Sequence, residues 1–242
     1  MLLKGCLNGA RRPAEHPALP VTPAALAADA ARVVAVGVGA LHAHPKDRAG
    51  ADTLVGDEVA AVLKAVRAAA PTVAVGITTG TWTIEDPAER VKAIRAWTVL
   101  PDFASVNWHE PGAEDVAEVL LERGVGVEAG LWHAQAAREW ATSAYRNRCC
   151  RVLIELAAGL DAADTKTEAD RLLAIVRSVG HTTPVLVHGE DTSCWPALQY
   201  AGHHRLQARI GLEDVLRLPD GSPAPDNAAL VVAARALLNQ HA

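Results

Sequence analysis

Short apolar runs alternate with longer amphipathic stretches along the whole chain. The runs are rich in Val, Ile and Leu and cover 2–7, 36–42, 72–77, 103–107, 124–128, 151–156, 184–188 and 206–210. Such runs read as strands buried on both faces, as in a parallel sheet. The stretches between them, at 23–35, 56–70, 86–97, 112–123, 133–144, 165–179, 192–202 and 226–240, read as helices. Thr22-Pro23 and Asp86-Pro87 each put a capping side chain before a proline at the first helical position. Asp226 or Asn227 can cap the last helix, and Gly124 and Gly180 suit helix ends. Eight strand–helix pairs in 242 residues predict a (β/α)8 TIM barrel, a fold of about 250 residues. An open doubly wound sheet would show fewer strands and a glycine-rich first turn. The turn here, Asn8-Gly9-Ala10-Arg11, holds no GxGxxG pattern. No linker interrupts the pattern. The expected organisation is therefore one barrel domain over 1–242, with 220–226 as a surface loop before the last helix.

A barrel places its chemistry at the carboxyl ends of the strands. There the chain offers Asn8, then His42 and His44, then Thr78, Thr79 and Thr81, then Ser105, Asn107, His109 and Glu110. Glu128, Glu155, His188, Glu190, Asp191, Arg209, Glu213 and Asp214 follow in the later half. In His42-Ala43-His44 the two imidazoles point to the same side of an extended strand end. That is how two of three protein ligands reach one zinc, the third being a His or a carboxylate. Two packed histidines are the bland alternative. Lys46 and Asp47 read as a loop pair that orients the site or as a solvated turn. Glu213-Asp214 is either an acidic helix start or a pair with divided roles. In the second case Glu213 completes the zinc sphere and Asp214 acts on substrate. Arg209 then holds a substrate carboxylate bidentately, or Asp214 itself.

Composition narrows the class. The chain carries 23 Lys and Arg against 28 Asp and Glu, a net charge of −5, which argues against a general nucleic-acid binder. Half the residues are hydrophobic, which excludes a mainly disordered chain. Cys6, Cys149, Cys150 and Cys194 show no CxxC spacing and read as packing residues. The start of the chain shows no signal-like apolar segment, and no apolar run nears the ~20 residues of a spanning helix. A cytoplasmic protein is expected. His181, His203, His204 and His241 read as surface histidines, while His188 is placed to face a substrate.

Several segments together resemble the β-keto acid cleavage enzymes. They are Asn8-Gly9-Ala10, the stretch from His16 to Pro23, His42-Ala43-His44-Pro45-Lys46-Asp47, Thr78-Thr79-Gly80, and Arg209-Ile210-Gly211-Leu212-Glu213-Asp214. They run in family order over about 2–240. The resemblance implies a TIM barrel with zinc held by His42, His44 and Glu213. It also implies a reaction in which a 3-keto acid and acetyl-CoA give acetoacetate and a new CoA ester. Asp214 falls on the family's catalytic aspartate and Arg209 on its partner arginine. Glu128 falls on a substrate-side glutamate, and Thr78 and Ser105 on hydroxyl positions for the acid end, with Thr79 and Asn107 beside them. Family members assemble through barrel contacts, so a homo-oligomer is expected.

There are departures. Arg11 stands where the type member of the family carries an acid against a substrate amine, so an anionic or neutral substrate is expected. Lys46 replaces a usual Arg, and the Gly-Gly-His run before the arginine strand is missing. The loops after Asn107 and Glu155 are shortened, which bears on CoA binding. A zinc-dependent TIM-barrel hydrolase of the amidohydrolase type is the alternative enzyme. It usually carries its HxH on the first strand with further histidines later. A barrel serving as a binding module is the non-enzymatic alternative. One oddity remains: six Trp against one Phe. Trp82, Trp108, Trp132 and Trp195 fall just past strands three, four, five and seven, and Trp97 and Trp140 within helices. The four suggest an aromatic wall above the metal and a partly apolar substrate tail.

Overall fold

Eight parallel strands pair in sequence order and close on themselves, β1 lying against both β2 and β8 in this computed structural model. The structure describes residues 1–180 and 182–240. The strands are β1 (Leu3–Cys6), β2 (Ala40–Ala43), β3 (Ala74–Thr78), β4 (Phe103–Asn107), β5 (Gly126–Leu131), β6 (Arg151–Leu156), β7 (Val185–Gly189) and β8 (Gln207–Ile210). Eight helices follow them in turn: α1 (Pro23–Ala35), α2 (Gly56–Ala69), α3 (Pro87–Arg95), α4 (Ala113–Glu122), α5 (Ala134–Thr142), α6 (Ala162–Ser178), α7 (Cys194–His204) and α8 (Asn227–Asn239). This is the (β/α)8 TIM barrel that the alternation predicts.

The caps act as read. Thr22 accepts from the Ala25 amide, Asp86 from Glu89 and Asp226 from Ala229. The departures have local causes. β2 starts at Ala40 rather than at 36, because the Val36 amide still closes the last turn of α1 on the Arg32 carbonyl. α6 starts at Ala162 because Asp161, at its N-terminus, accepts from two amides. β5 runs on to Leu131, three residues past its expected end, so Glu128 is a mid-strand residue and not a strand-end one.

Apolar strand residues and the inner faces of the helices form one continuous core. Trp97 and Trp140 lie inside it, and the Trp97 indole donates to the Leu54 carbonyl at 2.9 Å. Cys149 and Cys194 are buried, as packing residues should be, while Cys150 is exposed. Near the amino ends of the strands the barrel interior is charged. The Lys4 ammonium meets the Glu128 carboxylate at 2.5 Å, and Arg151 pairs with the other oxygen of Glu128. The single Phe, Phe103, lies beneath both cations at 5.5 and 5.7 Å. Among the described residues no helix is long and apolar enough to cross a membrane. His203 is exposed and His204 is half-buried against Tyr200, while His181 and His241 fall outside the described residues.

Candidate active site

The site is assembled by the loops after β1, β2 and β8. Asn8 clamps the backbone of His44, accepting from its amide at 2.8 Å and donating to its carbonyl at 2.9 Å. Gly9 follows with φ +56°, and a Cβ there would stand 2.5 Å from the Glu213 Cγ. Only a bare, left-handed residue lets the first loop pass this close to Glu213. Lys46, buried, ties the loops together by donating to the carbonyls of Gly9 and Arg11 and to Asp52 at 2.5 Å. Its ion-pair partner is thus Asp52, not Asp47. Asp47 instead caps a turn through the amides of Ala49 and Ala51.

His42, His44 and Glu213 converge. Glu213 Oε1 lies 4.0 Å from His42 Nε2 and 3.7 Å from His44 Nε2. The three donor atoms lie within 4.8 Å of one another. Tetrahedral zinc with ligands at about 2.0–2.2 Å would set its donors roughly 3.4 Å apart, so small movements suffice. The set of two imidazoles and a carboxylate is one that zinc takes. The second face of His44 is fixed, as in metal sites generally: Nδ1 meets Asp52 Oδ2 at 2.6 Å, leaving Nε2 for the shared point. The same Asp52 oxygen accepts from the Trp82 indole at 2.7 Å, and that ring stacks on His44. Glu213 Oε2 is buried with no hydrogen-bond partner. Burial holds His42 neutral, pushed down to about 3. At His44 burial acts in the same direction, but Glu213 and Asp52 outweigh it and raise it to about 9. Glu213 resists its own burial because Arg209 and the two histidines hold it well below the usual carboxylate range.

Behind this triad, Arg209 donates twice to Asp214 Oδ1, at 3.0 and 2.8 Å, and lies 3.1 Å from Glu213 Oε1. Arg209 thus holds Asp214, one of the two roles read for it, and also lines the cavity. Asp214 is fully buried with Oδ2 unpartnered, and burial pushes its carboxyl up to about 6. A cavity of about 320 Å³ opens in front of the triad at the carboxyl ends of the strands. Thr78, Ser105, Asn107 and Arg209 form part of its wall. Thr78 Oγ1 accepts from the Gly80 amide, which leaves its hydroxyl proton to donate.

Four expected residues stand elsewhere or are otherwise engaged. Asp214 lies behind the wall formed by Arg209 and Glu213. Thr79 turns away and donates to the Ser105 carbonyl at 2.6 Å. Glu128 lies beneath the cavity, held by Lys4 and Arg151, and does not line it. Arg11 does line it, but its guanidinium serves the Leu212 carbonyl, Glu15 and Asp191. The aromatic wall is half of that expected. Trp82 and Trp132 line the cavity, whereas Trp108 is packed in the core and Trp195 lines a separate groove.

Sequence reasoning underrated Glu155, Asp52 and Glu190, whereas His188, expected to face a substrate, is buried against Glu155 and does not line the cavity. A charged residue within the apolar strand at 151–156 was a signal for Glu155. His188 Nε2 meets Glu155 Oε2 at 2.9 Å, and its Nδ1 lies 3.6 Å from Asp214 Oδ1. His109 lies against Trp132 and His133. Among the described residues neither histidine joins the triad, so the further histidine ligands of an amidohydrolase-type centre are not assembled.

A TIM barrel with a His–His–carboxylate triad, and a buried Arg–Asp pair behind it, defines a candidate metal-dependent enzyme. The model of the beta-keto acid cleavage enzyme family matches residues 1–241, and the chain belongs to that family. Similar solved structures share the fold at low identity. The apo structure of ObcA is 17% identical, with a TM-score of 0.74, over 91% of this chain and 61% of that one. A ternary complex of ObcA with a C4-CoA adduct and oxalate is 18% identical, with a TM-score of 0.72, over 93% and 64%. The chain thus spans less than two thirds of the length of those ObcA chains. A type I 3-dehydroquinate dehydratase from Clostridium difficile is 10% identical, with a TM-score of 0.64, over 99% and 91%. No curated protein matches the chain.

Proposed function

We propose that this protein is a zinc-dependent enzyme that condenses a 3-keto acid with acetyl-CoA, giving acetoacetate and a new CoA ester. The observation that carries this reading is the convergence of His42, His44 and Glu213 on one point of the cavity, in a chain of this family. ObcA, one of the solved structures of similar fold, has been seen with oxaloacetate and with a C4-CoA adduct, which supports a keto acid and a CoA thioester as substrates. His42, His44 and Glu213 would hold a divalent ion, which would supply Lewis-acid polarisation of the substrate's keto oxygen.

The chain's own residues do the rest. Thr78 and Ser105 donate from their hydroxyls to the substrate carboxylate, turning its C2 toward the base. Asp214 stands behind Arg209 and Glu213, with Oδ2 free and Oδ1 held by Arg209; once Glu213 is drawn toward the metal point and the wall parts, it takes a proton from C2. A carboxyl raised to about 6 is suited to base chemistry near neutrality. The C2 carbanion attacks the thioester carbonyl and the CoA thiolate leaves. The thiolate then attacks the original ketone, the C2–C3 bond breaks, and its electron pair stays on the acetoacetate fragment, which recovers a proton from Asp214.

Metal analysis and turnover test this together. The purified protein should carry about one zinc per chain, lost in His42→Ala. Asp214→Asn should keep the zinc and lose about 10²-fold or more in kcat. A metal-replete Asp214→Asn with wild-type turnover would remove Asp214 from this role.

A further inference from the structure

Glu155 is a buried charged group of the cavity wall that the steps above leave unused. It stands on β6, 4% exposed, and forms part of the cavity wall. Its Oε2 is engaged by His188 Nε2 at 2.9 Å. Its Oε1 reaches over Gly130 of β5, where a Cβ would collide with it and stand 2.7 Å from Asn107 Oδ1. The bare glycine is what admits the carboxyl here. Asn107 turns its oxygen to this spot, because its amide nitrogen is held by Glu110 and the oxygen accepts from the Trp132 indole. Two acceptor oxygens beside one point of a cavity wall suit a carboxyl that carries a proton.

The surroundings agree. Arg209 and Lys4 act on Glu155 from β8 and β1, Glu213 from the loop after β8, Glu128 from β5, and Glu190 lies beyond β7. Burial outweighs the two cations and raises the Glu155 carboxyl to about 7. His188 is kept neutral by its own burial, pushed down to about 3, so it orients Glu155 without adding charge. The thiolate released in the proposed reaction would add an anion to a cavity already walled by Glu190, Asp191 and Glu213. A proton donor at the wall removes that repulsion.

We propose that Glu155 is a second acid–base residue of this site, positioned by His188, which protonates the CoA sulfur as the thioester breaks and takes that proton back as the sulfur attacks the ketone. This rests on the acyl-transfer reading. In the first half the C–S electron pair goes to sulfur, the Glu155 O–H bond breaks and an S–H bond forms. In the second half the S–H proton returns to the carboxylate as the S–C bond forms. Glu155 ends as it began.

Two readouts on the zinc-loaded protein test it: deuterium exchange at C2 of the 3-keto acid without CoA, followed by NMR, and turnover with acetyl-CoA. Glu155→Gln should retain exchange within about twofold and lose about 10²-fold or more in turnover. Gly130→Ala, which displaces the carboxyl without changing its chemistry, should show the same split if Glu155→Gln folds poorly. His188→Gln, which keeps a donor in place, should turn over faster than His188→Ala. Wild-type turnover in Glu155→Gln overturns the proposal, as does parallel loss of exchange and turnover. A wild type that exchanges C2 but never uses acetyl-CoA overturns the acyl-transfer reading itself, and this proposal with it.

Discussion

His44 is held on three sides: its backbone by Asn8, one ring nitrogen by Asp52 and one ring face by Trp82. Removing the Asp52 carboxylate frees the ring to rotate and lowers its basicity. Asp52→Asn should therefore weaken zinc binding roughly 10–100-fold, measured by competition against a chelator, while His42 and Glu213 stay in place. An unchanged affinity would show that the packing on Trp82 alone orients the ring. The convergence of the two imidazoles was legible because residues i and i+2 of an extended strand point to the same side. Asp52 was not. It reaches His44 through an irregular loop closed by a single antiparallel bridge between Lys46 and Asp52, and no periodicity signals such a closure.

The loop after β1 meets the loop after β8 at Gly9. Gly9→Ala places a methyl against Glu213 and demands φ +56° of a residue that avoids it. The expected outcome is a folded barrel with clearly reduced zinc occupancy, by metal analysis and circular dichroism, since the clash falls on a proposed ligand and not on the core. Full occupancy would mean that Glu213 moves without cost. A second tie joins β1, β5 and β6 through Lys4, Glu128 and Arg151. Glu128→Gln leaves a buried ammonium half-compensated and should cost about 3–5 kcal/mol, read from urea unfolding. A cost under about 1 kcal/mol would contradict the pairing. The strand containing Glu128 was legible as apolar, but its length was not. β5 continues through Ala129, Gly130 and Leu131, and the end of a strand is set by its neighbours, here Asn107 of β4 pairing with Gly130. That extension lowers Glu128 from the cavity wall to the barrel floor. The expectation for Trp108 failed for a similar reason, since a residue just past a strand can fold back into the core.

At the scale of the whole barrel, alternation carried the fold, because parallel strands buried on both faces leave an unbroken apolar record. The cavity wall was less legible, because which side chains meet across a barrel depends on closure and register. Closure also fixes the response to acid. At Glu128 burial favours the neutral acid, but Lys4 and Arg151 outweigh it and hold the carboxyl below its usual 4.5. A depressed folded-state value contributes stability above about pH 4.5 and loses it as pH falls through the lower value. The wild type should therefore lose stability on acidification below that point, by thermal unfolding at stepped pH, and Glu128→Gln should lose less over the same interval. Equal slopes would contradict the assignment.

The proposed reaction moves an acetyl group from CoA onto the two-carbon end of a 3-keto acid. It is tested by incubating zinc-loaded protein with a 3-keto acid and acetyl-CoA labelled with ¹³C at both acetyl carbons. Label is expected in C3 and C4 of acetoacetate, with an unlabelled acyl group on the new CoA ester. Labelled free acetate, or cleavage of the keto acid with no label in acetoacetate, would contradict it.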